Sequence, residues 1–316
     1  MNARFTTSEI VLERRALPGG SRVVLVHGGV DMEPTQDTFD SLETATLAGF
    51  EMFSGDDRGI EAAIAAVGVL EDDPAFNSGF GSVLTRAGTV ETDGAVSDGW
   101  LGRSVGVGAA PGLRRPAALA YRLLQEEDVV LLVGAQASDY ARSRGIPIED
   151  LVVDEQKTAL DAITADPTRS VFTGRAVPSE TVGSLAINGL GRVSAASSTG
   201  GLVGKLPGRV GDACIRGAGY WTDRRFGVLC SGSGEATMNR QLASSLAALA
   251  SRIGLAPAME ETLLQLAGAE NAVCAIVAVD AEQNEVVTAH NGSSFPVVAR
   301  TATEVFRLGD PRAGTR

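Results

Sequence analysis

The side chains with chemistry to offer gather in one stretch, Pro178 to Asp212, PSETVGSLAINGLGRVSAASSTGGLVGKLPGRVGD. Two hydroxyls, Thr181 and Thr199, lie eighteen residues apart in it. Between them, Ser184 to Asn188 and Arg192 to Ser198 alternate or run apolar around Asn188-Gly189-Leu190-Gly191. That is turn chemistry, because glycine supplies positive φ without a Cβ clash. A hairpin centred on Leu190 sets Thr181 directly opposite Thr199, with Gly183, Gly200 and Gly201 keeping the surroundings open. A threonine hydroxyl is a poor nucleophile without an adjacent base. At the first position of a chain it has one in its own α-amine, whose ordinary pKa of ~7.7–8.0 leaves a neutral fraction near neutral pH. Just downstream, Arg209 and Asp212 stand three apart in a glycine-rich loop. A guanidinium fork for a carboxylate and a carboxylate for an ammonium are what the free end of an amino acid requires. Residue types alone leave a plainer reading open, since threonine is common in strands and exposed Arg–Asp pairs contribute little.

The elements that must position these groups can be traced along the chain. Arg22 to Val26 is a β-branched run ending at His27-Gly28-Gly29, a buried strand opening into a tight turn, with His27 reading as a hydrogen-bonded core residue. Thr38 to Phe53 and Arg58 to Leu70 read as helices. Val83 to Asp98 reads as a meander turning at Arg86-Ala87-Gly88, and Ser104 to Ala110 as a further strand. Pro116 opens a helix, Ala117 to Glu127, from the favoured first-turn position. Val129 to Val133 and Ala135 to Arg144 read as strand and helix. Pro147 to Glu180 is acidic, lacks lasting periodicity and reads as a mobile linker. Phe226 to Cys230 is a strand that runs through Ser231-Gly232-Ser233-Gly234-Glu235 into a long helix, Ala236 to Ile253. Such a strand–turn–helix junction presents backbone N–H groups to an anion or oxyanion. Ala258 to Ala267 reads as another helix, and Val273 to Val279 with Glu285 to Ala289 as a closing hairpin.

Composition narrows the function. The 316 residues carry a net charge of −12 with only two lysines, Lys157 and Lys205, which argues against nucleic acid or an anionic membrane as partner. No apolar run approaches the ~20 residues needed to span a bilayer, and MNARFTTSEIVLERR has no apolar core of a secretory signal. Cys214, Cys230 and Cys274 are few and odd in number and fit a reduced cytoplasm without a disulfide framework. With His27 and His290 as the only histidines, a histidine-rich metal site is excluded and a Ser-His-Asp triad disfavoured.

Thr181-Val182-Gly183, Ser198-Thr199-Gly200-Gly201 and Lys205-Leu206-Pro207-Gly208-Arg209-Val210-Gly211-Asp212, spaced in this order, resemble the N-terminal-nucleophile asparaginase family. Its members include plant-type L-asparaginase/isoaspartyl aminopeptidase, glycosylasparaginase and the threonine aspartases. Leu70 to Leu84, LEDDPAFNSGFGSVL, is similar to the family's LEDDPxFNAGxGSVL segment. Ser231-Gly232-Ser233-Gly234-Glu235 stands where the family has Thr-Gly-Thr-Gly-Glu, Val30-Asp31 where it has Ala-Gly, and Thr92-Asp93-Gly94 where it has Met-Asp-Ala. The resemblance spans about His27 to His290.

The resemblance implies an α+β fold, the four-layer αββα sandwich of N-terminal-nucleophile hydrolases. It implies a single unit, 1–316, that cuts itself between Glu180 and Thr181 into an α chain, 1–180, and a β chain, 181–316. Thr181 is then the nucleophile, and Thr199 orients its amine and hydroxyl. Ser231 and the Gly232 N–H form the oxyanion hole, while Arg209, Asp212, Gly234 and Asn77 attend the substrate. No cofactor is implied for catalysis. A structural sodium ion is implied on the backbone carbonyls of Leu70, Glu71, Asp73, Phe76, Ser78 and Phe80, oxygen ligands that suit a hard cation. The implied partner is a small molecule, L-asparagine or a β-aspartyl dipeptide, met by a homodimer of αβ units. A glycosylasparaginase-type hydrolase, a threonine aspartase-type processing protease and an uncleaved, non-catalytic binding member remain as alternatives.

Overall fold

The structure is a computed structural model that describes residues 10–53, 59–165, 181–270 and 272–309. In chain order its elements are β1 (Val11–Ala16), β2 (Val23–His27), α1 (Gln36–Glu51), α2 (Gly59–Asp72), β3 (Glu91–Asp98), β4 (Arg103–Pro111), α3 (Pro116–Glu126), β5 (Leu131–Val133), α4 (Ala135–Ser143) and α5 (Asp154–Ala165). There follow β6 (Val182–Ile187), β7 (Val193–Thr199), β8 (Tyr220–Thr222), β9 (Phe226–Gly232), α6 (Gly234–Arg240), α7 (Leu242–Ile253), α8 (Leu255–Glu270), β10 (Cys274–Asp280), β11 (Glu285–His290), β12 (Val297–Arg300) and β13 (Val305–Leu308).

The strands form two sheets, one ordered β13-β12-β2-β6-β7-β3-β4-β5 and the other β1-β11-β10-β9-β8. Both faces of their central strands are buried, and the alternation of side chains assigns those faces to different cores. In β2, Val24 and Val26 join Phe39, Leu42, Ala63 and Leu119 beneath α1, α2 and α3, whereas Val23 and Leu25 join Leu229, Val277 and Val286 of the facing sheet. In β10, Ala275, Val277 and Val279 point to that same inter-sheet core. Cys274, Ile276 and Ala278 point outward, onto Leu246, Leu263 and Leu266 of α7 and α8. Three apolar layers thus separate helices, sheet, sheet and helices. This is the four-layer αββα arrangement that the resemblance implied. Among the described residues no helix is long and apolar enough to cross a membrane, and the three cysteines are buried and free.

The hairpin has the expected register: Val182 pairs with Ser198 and Ile187 with Val193 in β6–β7. Elsewhere the structure departs from the sequence reading. Within the presumed linker, residues 154–165 form α5, which has acids in its first turn and buries no residue, so no apolar stripe announced it. Residues 166–180, the Glu180 side of the proposed cut included, lie outside the described residues. The long helix expected over Ala236 to Ile253 is two helices, because Gln241 adopts φ 47°, ψ 50° and its N–H caps Met238 and Thr237. No glycine or proline marks that break in the sequence. The hairpin β10–β11 does not close the fold either, since β12 and β13 continue along the edge of the larger sheet.

Candidate active site

Thr181 is buried and immediately precedes β6, a strand held between β2 and β7. Since Leu185 and Ile187 face the other sheet, the same alternation aims Gly183 and Thr181 there too. A Cβ on Gly183 would stand 2.5 Å from His27 Nε2 and 2.9 Å from Leu229 Cδ1, so only glycine lets β6 approach β9 this closely. One step along each strand, Ser231 follows Leu229 as Thr181 precedes Gly183. There the Ser231 hydroxyl lies 3.5 Å from the Thr181 nitrogen and also accepts the Val30 N–H at 3.1 Å. The two sheets therefore meet at the candidate nucleophile.

Thr199 ends β7 on the same inter-sheet face, one step beyond the Val182–Ser198 pair, and its hydroxyl accepts the Gly201 N–H at 3.0 Å. Asn77 braces this turn. Its Nδ2 donates to Gly201 O at 2.7 Å, its Oδ1 accepts from Val83 N at 3.0 Å, and its carbonyl accepts from Gly200 N at 2.9 Å. The structure thus places the Asn77 amide as a buried tie between the Phe76–Gly81 loop and the Thr199 turn.

The loop bearing Arg209 and Asp212 is fastened to β3 at several points. Lys205 Nζ donates to Glu91 O, Glu91 Oε2 accepts from Gly208 N, and Asp93 Oδ2 accepts from Gly211 N, each at 2.7 Å. Asp93 sits at a bulge between Thr92 and Gly94, opposite Thr199, and its second oxygen takes the Ala109 N–H at 2.6 Å. A carboxylate with several N–H donors is a strong fixture in a low-dielectric interior. So held, Arg209 and Asp212 converge on Gly234: a Cβ there would lie 2.7 Å from Asp212 Oδ1 and 3.0 Å from Arg209 Nη2. The Arg209 fork is oriented by Glu235, through Nε to Oε1 and Nη2 to Oε2 at 3.0 Å each.

Burial dominates the electrostatics. It pushes the Asp212 carboxyl up to about 7 against the pull of Arg209, with Glu235 and Asp93 adding to the rise, and Asp212 Oδ2 has no hydrogen-bond partner among the described residues. Burial lowers Lys205, partly countered by Asp93 and Glu91. His27, its ring 5.2 Å from that of Phe295 and tilted 43° to it, is driven down to about 3 by burial and stays neutral. It belongs to the core, but the expected hydrogen bond is missing: its ring lies against the Thr181 backbone, and neither nitrogen meets a partner at bonding geometry among the described residues.

The Gly-rich junction is less open than the sequence suggested. Ser233 N–H is spent on Val273 O at 2.8 Å, and Gly232 (φ 135°) passes so close to that carbonyl that a Cβ would sit 2.3 Å from it. Around the Leu70–Phe80 loop, the carbonyls of Leu70, Asp73, Phe76 and Ser78 each accept a backbone N–H. Cβ atoms at Gly79 and Gly81 would lie 2.2 Å from Glu71 O and 2.1 Å from Phe76 O. Sequence reasoning gave no role to Glu91, Asp93, Lys205 or Glu235. The available signals were an acid inside a buried strand and one of the chain's two lysines beside the anchor loop.

A buried threonine at the meeting of two sheets, with an arginine and an aspartate converging nearby, sits in the αββα sandwich of the N-terminal-nucleophile hydrolase class. The family model described as asparaginase matches residues 17–305. The chain is 33% identical to the isoaspartyl peptidase/L-asparaginase of Danio rerio, over 68% of this chain and 72% of the relative. It is 30% identical to the isoaspartyl peptidase of Escherichia coli (strain K12), over 84% and 88%, and 33% identical to the plant-type L-asparaginase of Pyrococcus abyssi, over 77% and 84%. The chain belongs to the asparaginase family and is an amidohydrolase of that family.

Proposed function

We propose that the chain is a precursor that cuts itself between Glu180 and Thr181 and then hydrolyses the side-chain amide of L-aspartyl groups, in asparagine and in β-aspartyl dipeptides. The observation that carries this reading is the placement of Thr181 N 3.5 Å from Ser231 Oγ, with Arg209 and Asp212 converging on Gly234. Freed by the cut, the Thr181 amine takes the proton of its own hydroxyl, and Oγ attacks the side-chain carbonyl of the substrate. Thr199, across the hairpin, orients the amine and hydroxyl. Ser231 and the Gly232 N–H receive the developing oxyanion, a contribution of ~10²–10³ in rate for such donors. Arg209 binds the α-carboxylate and Asp212, when ionised, the α-ammonium. The tetrahedral intermediate so formed breaks its C–N bond, the proton held by the Thr181 amine passing to the departing ammonia or amine, and water then hydrolyses the resulting acyl-enzyme to release aspartate and restore the threonine.

A sodium ion on the carbonyls of Leu70, Glu71, Asp73, Phe76, Ser78 and Phe80 is part of the reading. Glycines packed against the Glu71 and Phe76 carbonyls at Gly79 and Gly81 fit a loop shaped around backbone oxygens. Such an ion would stiffen the loop that carries Asn77, and no bond-making step passes through it. Buried free thiols support a reducing, cytoplasmic setting. A homodimer of αβ units completes the reading and rests on the family resemblance.

The test is intact-mass and N-terminal sequencing of aged protein, followed by kcat/KM for β-Asp-Leu, asparagine and N-acetylglucosaminyl-asparagine. A fragment beginning Thr181-Val182-Gly183, β-Asp-Leu cleaved at least as well as asparagine, and a slow sugar conjugate are expected. A chain that stays whole yet turns over substrate overturns the nucleophile; a fastest sugar conjugate overturns only the substrate.

A further inference from the structure

We propose that a cavity of about 500 Å³ at the open edge of the sandwich binds a small organic oxyanion with an apolar body. The two sheets end unequally: β4 and β5 finish the larger one and β8 the smaller. Between the starts of β4 and β5 on one side and Cys214 to Arg216 and Tyr220 on the other, the layers gape. The 214–216 segment is fixed in place, since a Cβ on Gly106 of β4 would lie 2.1 Å from Cys214 O. None of Thr181, Thr199, Arg209, Asp212 or Ser231 lines the cavity, so its lining is distinct from the residues of the proposed reaction.

The cavity is positively charged in a chain of net charge −12. Two lining guanidiniums, Arg103 and Arg216, form no ion pair among the described residues, and Arg216 Nε is buried without a hydrogen-bond partner there. A buried donor left unmet is costly, and a planar guanidinium takes a carboxylate or phosphate through paired N–H groups. Arg216 is preorganised for this by stacking 4.5 Å over the Trp221 ring. One acid, Asp128, also lines the cavity, but it is exposed and bonds to neither arginine. The rest of the wall sets the Ser104 and Tyr220 side chains beside an open apolar stretch, Val129 to Leu131, in which Val130 is 78% and Leu131 41% exposed. A cavity of this size and mixture suits a small molecule with a charged head and an apolar body better than a bare inorganic ion.

Trp221 reports on the site through the Arg216 guanidinium over its ring. The other tryptophan, Trp100, stacks against Arg192 and Arg224 elsewhere and is removed by Trp100→Phe. The full-length Trp100→Phe protein is titrated with 4-methylpentanoate, its neutral isostere 4-methylpentanamide, and inorganic phosphate. A saturable change in Trp221 emission with the carboxylate is expected, with the amide and phosphate each at least about tenfold weaker. Because Arg216→Met also alters the fluorophore's surroundings, the partner variants are Arg103→Met and Val130→Asp, both at exposed positions, read by saturation-transfer NMR of the ligand. Each should weaken carboxylate binding about tenfold, whereas Thr181→Ala should leave it unchanged. No saturable response, equal binding of acid and amide, phosphate as tight as the carboxylate, or indifference to both variants overturns the proposal.

Discussion

Glu235 is the sharpest test of how the substrate anchor works, because two opposite outcomes are conceivable for its removal. Its carboxylate takes Nε and Nη2 of Arg209 at 3.0 Å each. A guanidinium has five N–H donors, so most of the fork remains for a substrate carboxylate, including Nη1. On this geometry Glu235 orients Arg209 and does not block it. Charge-assisted bonds of this kind are worth ~1.5–3 kcal/mol when shielded, but the Glu235 side chain is 41% exposed against 15% for Arg209. Solvent screening reduces the orienting contribution to about 1–1.5 kcal/mol. Glu235→Ala should therefore raise KM for β-Asp-Leu about five- to tenfold with kcat little changed, since the anchor holds ground and transition states alike. Glu235→Gln, which keeps one acceptor, should fall between. Steady-state kinetics on fully cleaved enzyme decide it. A KM that drops in Glu235→Ala would show the carboxylate competing with substrate, and an unchanged KM would show that the pair orients nothing.

Arg209→Ala deletes the anchor itself and should raise KM by about ten- to a hundredfold, read on the same substrate. Asn77→Ala strands the buried Gly201 carbonyl and Val83 N–H, at about 1–3 kcal/mol each, which urea unfolding should register as a loss of roughly 2–6 kcal/mol. Asp212 is pushed up to about 7, so its carboxylate is lost as pH falls through that value. The acid limb of kcat/KM should drop by up to about tenfold per unit there, and Asp212→Asn should be low throughout with that dependence removed. His27 is depressed from 6.5 to about 3, so between those values the unfolded chain binds a proton that the folded chain refuses. Stability should therefore be lost as pH is lowered from about 6.5 towards about 3, at up to about 1.4 kcal/mol per unit, and His27→Asn should flatten this slope in acid unfolding curves.

What could be read from the sequence was what depends on near neighbours. The β6–β7 register follows from Asn188-Gly189-Leu190-Gly191 and the apolar runs beside it, and the pairing of Val182 with Ser198 agrees. Arg209 and Asp212 stood out as charges in a glycine-rich loop. What holds that loop could not be read, because Glu91 and Asp93 reach it across more than a hundred residues. A carboxylate in a strand does not announce which N–H it will meet. Helix α5 was missed for lack of a buried face, and the break at Gln241 because an ordinary side chain takes the left-handed conformation there. The cavity beside Arg216 belongs to the same category: it arises from unequal sheet widths, which no local pattern encodes.

The strand order also bears on what a cut before Thr181 would do. In the larger sheet β6 and β7, from the 181–316 segment, lie between β2 and β3, from the 1–180 segment, while β12 pairs with the far side of β2. In the smaller sheet β1 pairs with β11. Strands of the two segments are therefore shuffled within both sheets, and the inter-sheet core draws on both as well. Separating the fragments would unzip three ladders of the larger sheet and one of the smaller and expose that core. The division of labour follows the same seam: Thr181, Thr199, Arg209, Asp212 and Ser231 come from the second segment, while Asn77, Glu91 and Asp93, which hold them in place, come from the first. A chain built this way can lose the peptide bond before Thr181 without losing the scaffold around it. That is the structural condition for a hydrolase whose base is its own new N-terminus.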